Sequence, residues 1–409
     1  MDLKKMVRLD KLKNIDLCTG CSSCVNVCPT NAIKLERDTR GFYKIQISNS
    51  QCINCLKCYK VCQLVSSFQS RNDYIQQIFC TINKDVLIRQ KSSSGGLFIE
   101  ICKGMKKMDI NSTIYGVEFD NNLQVNHVGH KSIDKCQAFI GSKYVQSDVH
   151  RIFSEIKLKL EKDEKILFSG TGCQCQGLKL FLRENNTNLD NLILVDLICH
   201  GVSSPSLWDD YISELEKIND KKIIYYSFRD KSISWAGINP KVICEDKEIL
   251  KNNLFLKSYG IFFGNLALNN CCYSCNYTNL NRVGDLTLGD YWGIPLDNKL
   301  NDGKGVSELL INSSKGFDLF EIIKGNLEFF PIQDKSYIQP QLVKPTKKNI
   351  RASLFWHDYQ KNGYYYVYNK YIKKNKKRLI KQKITQFKYR QKPFRPLQYF
   401  FQLINLRKK

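Results

Sequence analysis

The chain has 409 residues, 43% of them hydrophobic, and a net charge of +24; that length allows a sizeable core and suits two or three domains. The N-terminal MDLKKMVRLDKLKNID has bases but no apolar h-region, and no run approaches the eighteen or so apolar residues of a membrane span, so a cytoplasmic protein is expected. In that reducing compartment eighteen cysteines point to metal or redox chemistry and not to a disulfide scaffold.

Cys18, Cys21, Cys24 and Cys28 stand at C-x2-C-x2-C-x3-C, followed by Pro29, and Cys52, Cys55, Cys58 and Cys62 repeat the spacing 34 residues later. Eight thiols repeated in this way are the signature of a bacterial two-cluster ferredoxin. One tight loop offers three thiolates to one cubane, while the fourth cysteine opens a helix that crosses to the other. The expected sets are Cys18, Cys21, Cys24 and Cys62 for one [4Fe-4S], and Cys52, Cys55, Cys58 and Cys28 for the second. Two zinc sites would use C-x2-C pairs, with no need of a third cysteine or of a C-P. Gln63 replaces the proline usual at the end of the second motif, a change expected only to relax the local turn. Residues 1–70 therefore read as an α+β ferredoxin-like two-cluster domain. It moves electrons and names no substrate.

After a polar stretch from Ser66 to Asp73 the texture becomes alternating strands and helices. Strands are expected at 74–82, 112–119, 165–168 and 191–198. Helices are expected after the Ser/Gly turn at 92–96, at 147–163 with Ser147 as cap, at 177–185, and at 204–218 with Ser204 before Pro205. This alternation predicts an α/β domain with a largely parallel sheet over 74–343. Cys173 and Cys199 each follow a strand, and ligands in open α/β sheets sit beyond the carboxyl ends of strands. Cys272 and Cys275 add a C-x2-C pair. Four such thiols suit one more [4Fe-4S] or one zinc, although a buried cysteine is also common as a plain core residue. Cys80, Cys102, Cys136, Cys175, Cys244 and Cys271 read as such core residues, and His200 as a side chain that hydrogen-bonds its loop.

Seven ordered stretches, KSSSGGLF, GSKYVQSD, ILFSGTGCQCQGLKLFL, VDLICHGVSSPSLW, FRDKSISW, CCYSC and GDLTLGDYWG, resemble the coenzyme F-420 hydrogenase/dehydrogenase beta-subunit family over roughly residues 75–295. An N-terminal two-cluster ferredoxin is similar to that of its longer members. The resemblance implies an FAD-binding α/β domain with its own [4Fe-4S] near the flavin, its ligands matching Cys173, Cys199, Cys272 and Cys275. Cys175 is then expected to face the core. The chain departs from the family at Gly172, where proline is usual, and at Asn270-Cys271, where an Arg-Pro-Ser-like stretch is common. For the flavin pyrophosphate, Ser92, Ser93, Ser94, Gly95 and Gly96 offer small residues and backbone amides at a helix start. Lys143, Arg229 and Lys231 could pair with phosphate or with the reduced flavin ring, or be solvated surface charges, and Asp290 could fix the cluster loop. No G-x-G-x-x-G follows a strand, so no separate nicotinamide site is expected.

From Lys344 to Lys409 twenty Lys and Arg residues stand against one acid, Asp358, so most of the charge belongs to a basic, aromatic, partly helical extension at 344–409. It suits plain solvation first, and next the anionic cytoplasmic leaflet at about 1 kcal/mol per base; nothing calls for nucleic acid. The expected function is an iron–sulfur flavoprotein oxidoreductase. Electrons from a ferredoxin or flavodoxin would pass through three [4Fe-4S] clusters to FAD and on to an organic acceptor. The relatives' range includes surface-polysaccharide synthesis, and the deazaflavin coenzyme of the family name is not carried over. The alternative is a non-catalytic electron-transfer subunit that serves a partner enzyme.

Overall fold

The structure, a computed structural model, describes residues 8–12, 15–66, 74–232, 235, 239–250, 255–256, 258–259, 265–295 and 298–373. Residues 1–7 of the first domain, the polar stretch 67–73 and residues 374–409 of the expected extension lie outside the described residues. The first domain holds α1 (Ser23–Val27), the antiparallel pair β1 (Ile33–Arg37) and β2 (Tyr43–Ile47), and α2 (Lys57–Lys60). Each helix follows a residue in the left-handed region, Ser22 (φ 67) and Leu56 (φ 60). The repeated cysteine spacing is thus also a repeated backbone turn.

The second part runs through β3 (Gln77–Asn83), α3 (Val86–Lys91), α4 (Leu97–Met108), β4 (Thr113–Phe119), β5 (Val125–His130), α5 (Ile133–Cys136), α6 (Ile152–Leu160), β6 (Ile166–Thr171) and α7 (Gly172–Glu184). It continues with β7 (Leu192–Leu197), α8 (Pro205–Asn219), β8 (Ile223–Ser227), β9 (Lys241–Cys244), β10 (Leu286–Asp290), β11 (Ser307–Ile311), α9 (Ser314–Ile323), β12 (Leu327–Pro331) and α10 (Ala352–Tyr368). An eight-stranded sheet takes the order β12-β3-β11-β10-β7-β6-β4-β5. Its centre, β10-β7-β6-β4, is parallel, as the alternation predicts. Antiparallel strands flank it on both sides, which makes the sheet mixed and largely parallel.

Period-two alternation in the central strands explains the layers. Phe168, Leu192 and Leu194 face a cluster shared with α6, α7 and the first domain, whose Val25, Ile33, Ile45 and Val61 lie in the same core. Leu167, Ile193 and Val195 face the opposite side, against α4 and α9. The first domain is therefore welded to the sheet by a common apolar core. Polar ties reinforce it: Gln146 accepts from the Tyr43 amide at 2.8 Å and donates to the Thr19 carbonyl at 2.9 Å, and Arg37 pairs with Asp209.

Two sequence expectations shift. Ser147 caps nothing; its hydroxyl accepts from Gln174 at 2.9 Å and meets His127 Nδ1 at 3.0 Å, and the helix starts later, at Ile152. Ser204 does cap α8, accepting from the Leu207 amide at 3.3 Å. Nor is the start of the basic tail a solvated extension. On α10, Phe355, Trp356, Tyr359, Tyr364, Val367 and Tyr368 join Trp208, Tyr211 and Phe42 in one buried cluster. The helix breaks at Gly363 (φ 74), where a side chain would be strained. The charge of the extension as a whole marks this segment as surface, whereas its own aromatics make it core. No helix among the described residues is long and apolar enough to cross a membrane.

Candidate iron–sulfur and cofactor site

The eight N-terminal cysteines divide into two concavities. Cys18, Cys21, Cys24 and Cys62 line one, walled by Leu9, Ile15, Ile45 and Val61. Cys28, Cys52, Cys55 and Cys58 line the other with Arg8, Ile33, Ile47 and Ile53. The structure thus gathers the crossed sets read from the spacing. Burial pushes the Cys62 thiol up to about 12 and Cys58 up to about 11, and neighbouring thiols push the same way. Such groups ionise readily only around a cation, which is the demand that cluster iron meets. Ser22 Oγ, buried in the wall of the first concavity, has no partner in the protein and suits a cluster sulfur. Among the described residues no three or more His, Cys, Asp or Glu side chains are close enough to hold a single metal ion. A cubane spreads its four thiolates wider than one zinc does.

The third set forms at the carboxyl edge of the parallel strands. Cys173 lies in the first turn of α7, directly after β6, because that helix starts at Gly172 and not at Gly177 as the sequence suggests. Cys199 follows β7, and Cys272 and Cys275 come from the turn at Asn270–Ser274. A Cβ on Gly201 would stand 3.1 Å from Cys272 Cβ, so the Cys199 loop lies against that turn. Burial, followed by the charges of Cys275, Cys199 and Cys272, holds the Cys173 thiol well above its ordinary value. Burial likewise pushes Cys199 up to about 12, with Cys272 and Cys275 adding to the shift. Asn269 Nδ2, fully buried beside the turn, has no acceptor in the protein. The donor set and this orphaned amide both suit a cluster. Cys175 is buried as expected, but Cys271 is half-exposed beside Cys272 and is no core residue.

The sequence missed what lies between the first and third sets. Gln63, read there as a relaxed turn, is buried; its amide donates to Thr19 Oγ1 at 3.1 Å and to the Cys173 carbonyl at 3.0 Å. Its oxygen accepts from the Tyr277 hydroxyl at 2.5 Å. Tyr277 feels Cys173 and Cys275 on one side and Cys21 and Cys62 on the other. Lys44 donates to the Cys18 carbonyl at 2.5 Å and to Asn269 Oδ1 at 3.0 Å. Two glycines permit the approach: a Cβ on Gly177 would stand 3.0 Å from Cys21 Sγ, and one on Gly172 would stand 2.9 Å from Tyr277 Cβ. The second contact explains why proline is absent at Gly172. Beneath the site Asp196 and Arg282 form a buried pair at 3.1 Å, and Arg282 donates to the Tyr277 carbonyl at 2.6 Å. A lone acid in the apolar run NLILVDLI was the available signal.

The proposed flavin contacts lie further along the same edge. Ser94 Oγ donates to the Val306 carbonyl and Gly95 N to Ser307 Oγ, each at 2.9 Å. Ser93 Oγ accepts from the Ser142 amide at 2.8 Å and Ser92 Oγ donates to the Ile88 carbonyl at 2.8 Å. These hydroxyls shape the loop and are not free, whereas α4 begins at Gly96 (φ 84) with no side-chain cap on its amides. Asp290 pairs with Arg229 and accepts from Trp235 Nε1 at 3.3 Å. It holds the arginine loop, not the cluster loop. Arg229 Nε and Glu308 Oε1 remain buried without partners. Lys231 donates to the carbonyls of Arg89, Ser94 and Lys304, and Lys143 to those of Ala138, Ile140 and Gly141. Burial brings both ammoniums down to about 7. His200 meets Asn265 Oδ1 at 2.8 Å and accepts from Gln341 at 3.1 Å, so it fastens its loop as expected.

Comparison with known proteins agrees with this division. Residues 17–64 match the 4Fe-4S dicluster domain, and residues 163–335 match the C terminus of the coenzyme F420 hydrogenase/dehydrogenase beta subunit. The chain is 34% identical over 70 residues to an uncharacterized polyferredoxin-like protein of Methanocaldococcus jannaschii, covering 15% of this chain and 42% of that protein. It is 64% identical over 25 residues to a probable ferredoxin of Methanosarcina thermophila, covering 6% of this chain and 43% of that one. The chain thus spans under half the length of these curated relatives. A chain in a solved structure of the F420-reducing [NiFe] hydrogenase complex from Methanosarcina barkeri gives a TM-score of 0.44 at 14% identity, covering 74% of this chain and 93% of that chain. Behind a 4Fe-4S dicluster domain at residues 17–64, residues 163–335 of this chain belong to the C-terminal domain of the coenzyme F420 hydrogenase/dehydrogenase beta-subunit family.

Proposed function

We propose that this iron–sulfur electron-transfer protein binds a third [4Fe-4S] through Cys173, Cys199, Cys272 and Cys275, and FAD beside it, and reduces an organic acceptor. One observation carries the reading. Four thiols and a rim of three cations, Lys143, Arg229 and Lys231, border the same carboxyl edge of one sheet. Cys199 follows β7, and the Ser/Gly loop contacts β3 and β11. From β7 to β3 is three strand spacings, roughly 14 Å, a span that an extended dinucleotide can bridge. The loop's amides, the uncapped start of α4 and the lysines would receive the pyrophosphate. Clusters supply single electrons and a flavin collects two, which is why both would be needed to deliver a hydride equivalent. The residues' own work is to hold the ligands, exclude water and present positive charge.

The family is named for a beta subunit, which favours as second reading an electron-transfer subunit that passes electrons to a partner enzyme. One experiment separates the two. The isolated chain, loaded anaerobically with iron, sulfide and FAD, is given reduced viologen and a panel of small acceptors such as quinones and enones. Net acceptor reduction that depends on FAD supports the reductase. Viologen oxidation only when a partner protein is added supports the subunit, and failure to retain FAD at all removes the flavin from both.

A further inference from the structure

The two dicluster sets differ in what surrounds them, and we propose that the outward set marks a docking face for an acidic one-electron carrier protein. This rests on the functional reading above and adds where the carrier binds. Cys55 is the exposed cysteine of the described chain, and Ile53 beside it is 63% exposed. Asn54 and Lys57 are exposed on the same loop. The inward set has Gly177, Gln63 and Tyr277 packed against one side and its Cys24 is buried, so a carrier comes nearest to a ligand thiol at exposed Cys55.

Charge identifies the occupant. No Asp or Glu occurs between Asp38 and Asp73, while Arg40, Lys44, Lys57, Lys60 and Arg71 do. Lys44 is spent on the junction, Lys60 pairs with Glu184 at 3.2 Å and Arg8 in the concavity wall pairs with Asp10 at 2.6 Å, which leaves exposed Lys57, between the lining residues Leu56 and Cys58, as the base beside the outward set. Exposed Ile53 beside exposed Lys57, on a stretch with no acid of its own, suits an acidic protein partner, whose charge would steer the encounter. A second copy of this chain would bring like charges together. Each encounter moves one electron and no atoms: the carrier's reduced cofactor loses it, and the cluster held by Cys28, Cys52, Cys55 and Cys58 gains it.

The test uses the full chain, loaded anaerobically, and dithionite-reduced flavodoxin, an acidic flavin protein, as probe. Binding is measured by calorimetry at about 20 and about 200 mM salt, and contacts by zero-length carbodiimide coupling of lysines to carboxylates. Lys57→Glu is expected to weaken binding roughly five- to tenfold at low salt and to abolish the cross-link at position 57. Lys57→Ala should abolish the same cross-link and weaken binding less, and Lys131→Glu, at another exposed lysine, should change neither. All variants should hold equal iron and be reduced equally by dithionite alone. Unchanged binding in Lys57→Glu, an equal loss in Lys131→Glu, a cross-link joining two copies of the chain, or a Lys57-dependent loss seen only with anionic vesicles would each overturn the inference. Docking through Lys57 with no electron uptake would instead count against the functional reading and leave the docking face standing.

Discussion

The two halves of the dicluster domain carry the same cysteine spacing and the same left-handed residue before each short helix, yet they face different worlds. The set with Cys55 reaches solvent through that exposed thiol, whereas the set with Cys21 and Cys62 has α7, Gln63 and Tyr277 packed against one side. Spacing decides which thiols share a cluster. What packs against that cluster decides whether it meets a partner or the rest of the chain.

The largest expected effect separates the two halves. Cys62→Ser and Cys55→Ser should each lose about four irons. Cys62→Ser should also lower the thermal midpoint of the whole chain more than Cys55→Ser, because Cys62 itself packs against the core shared by both domains while Cys55 is exposed. Iron and sulfide analysis with calorimetry under argon checks this, and equal midpoints would erase the distinction. Gly177→Ala comes next. Its Cβ would meet Ser23 Oγ at 2.6 Å and Cys21 Sγ at 3.0 Å, an overpacking that costs about 1–3 kcal/mol. A chelator should then strip the inward set before the outward one, reversing the wild-type order.

Tyr277→Phe removes the donor to buried Gln63 Oε1, a loss of about 1–3 kcal/mol. It should also change the magnetic interaction between the first and third clusters in reduced protein, read as EPR line splitting, while leaving the outward cluster's signal alone. The smallest effect is pH-dependent and concerns the flavin rim. Burial chiefly, and at Lys231 also the charges of Arg89 and Arg229, bring Lys143 and Lys231 to about 7, opposed by Glu118 at the first and by Asp290 and Asp302 at the second. Both are charged below that pH and lose charge above it. FAD affinity of the iron-loaded chain should therefore fall severalfold as pH rises from about 6 to about 8.5, measured by flavin fluorescence quenching. Folding stability of the FAD-free chain should move the other way, since above about 7 the unfolded state binds more protons.

Much of this was legible in the sequence because thiol chemistry constrains spacing so tightly. The crossed sets, the α/β alternation and the placement of Cys173 and Cys199 after strands all follow from local pattern. What escaped depends on long-range contact. Gln63 is one substitution in a motif, and nothing local shows that its amide spans from Thr19 to the Cys173 carbonyl. Lys44 reads as a surface base until its partners, Cys18 and Asn269, are seen to come from both domains. The segment of α10 was hidden differently: the bases of the whole extension coloured the reading, whereas α10 itself holds one lysine, Lys361, against Asp358, and its aromatics set the packing. Strands β11 and β12 pair antiparallel with the distant β3, and β10 joins the parallel β7 across a long helix-poor connection, so these strands lack the crossover rhythm that exposed the others.

The central claim is that Cys173, Cys199, Cys272 and Cys275 form a third cluster site joined to the inward half of the dicluster domain. Counting iron and acid-labile sulfide in anaerobically reconstituted protein tests it most directly. Wild type and Cys175→Ser should hold about twelve irons per chain and Cys199→Ser about eight. A fully loaded wild type with about eight, or Cys199→Ser equal to wild type, would contradict the account and return Cys173 to the core.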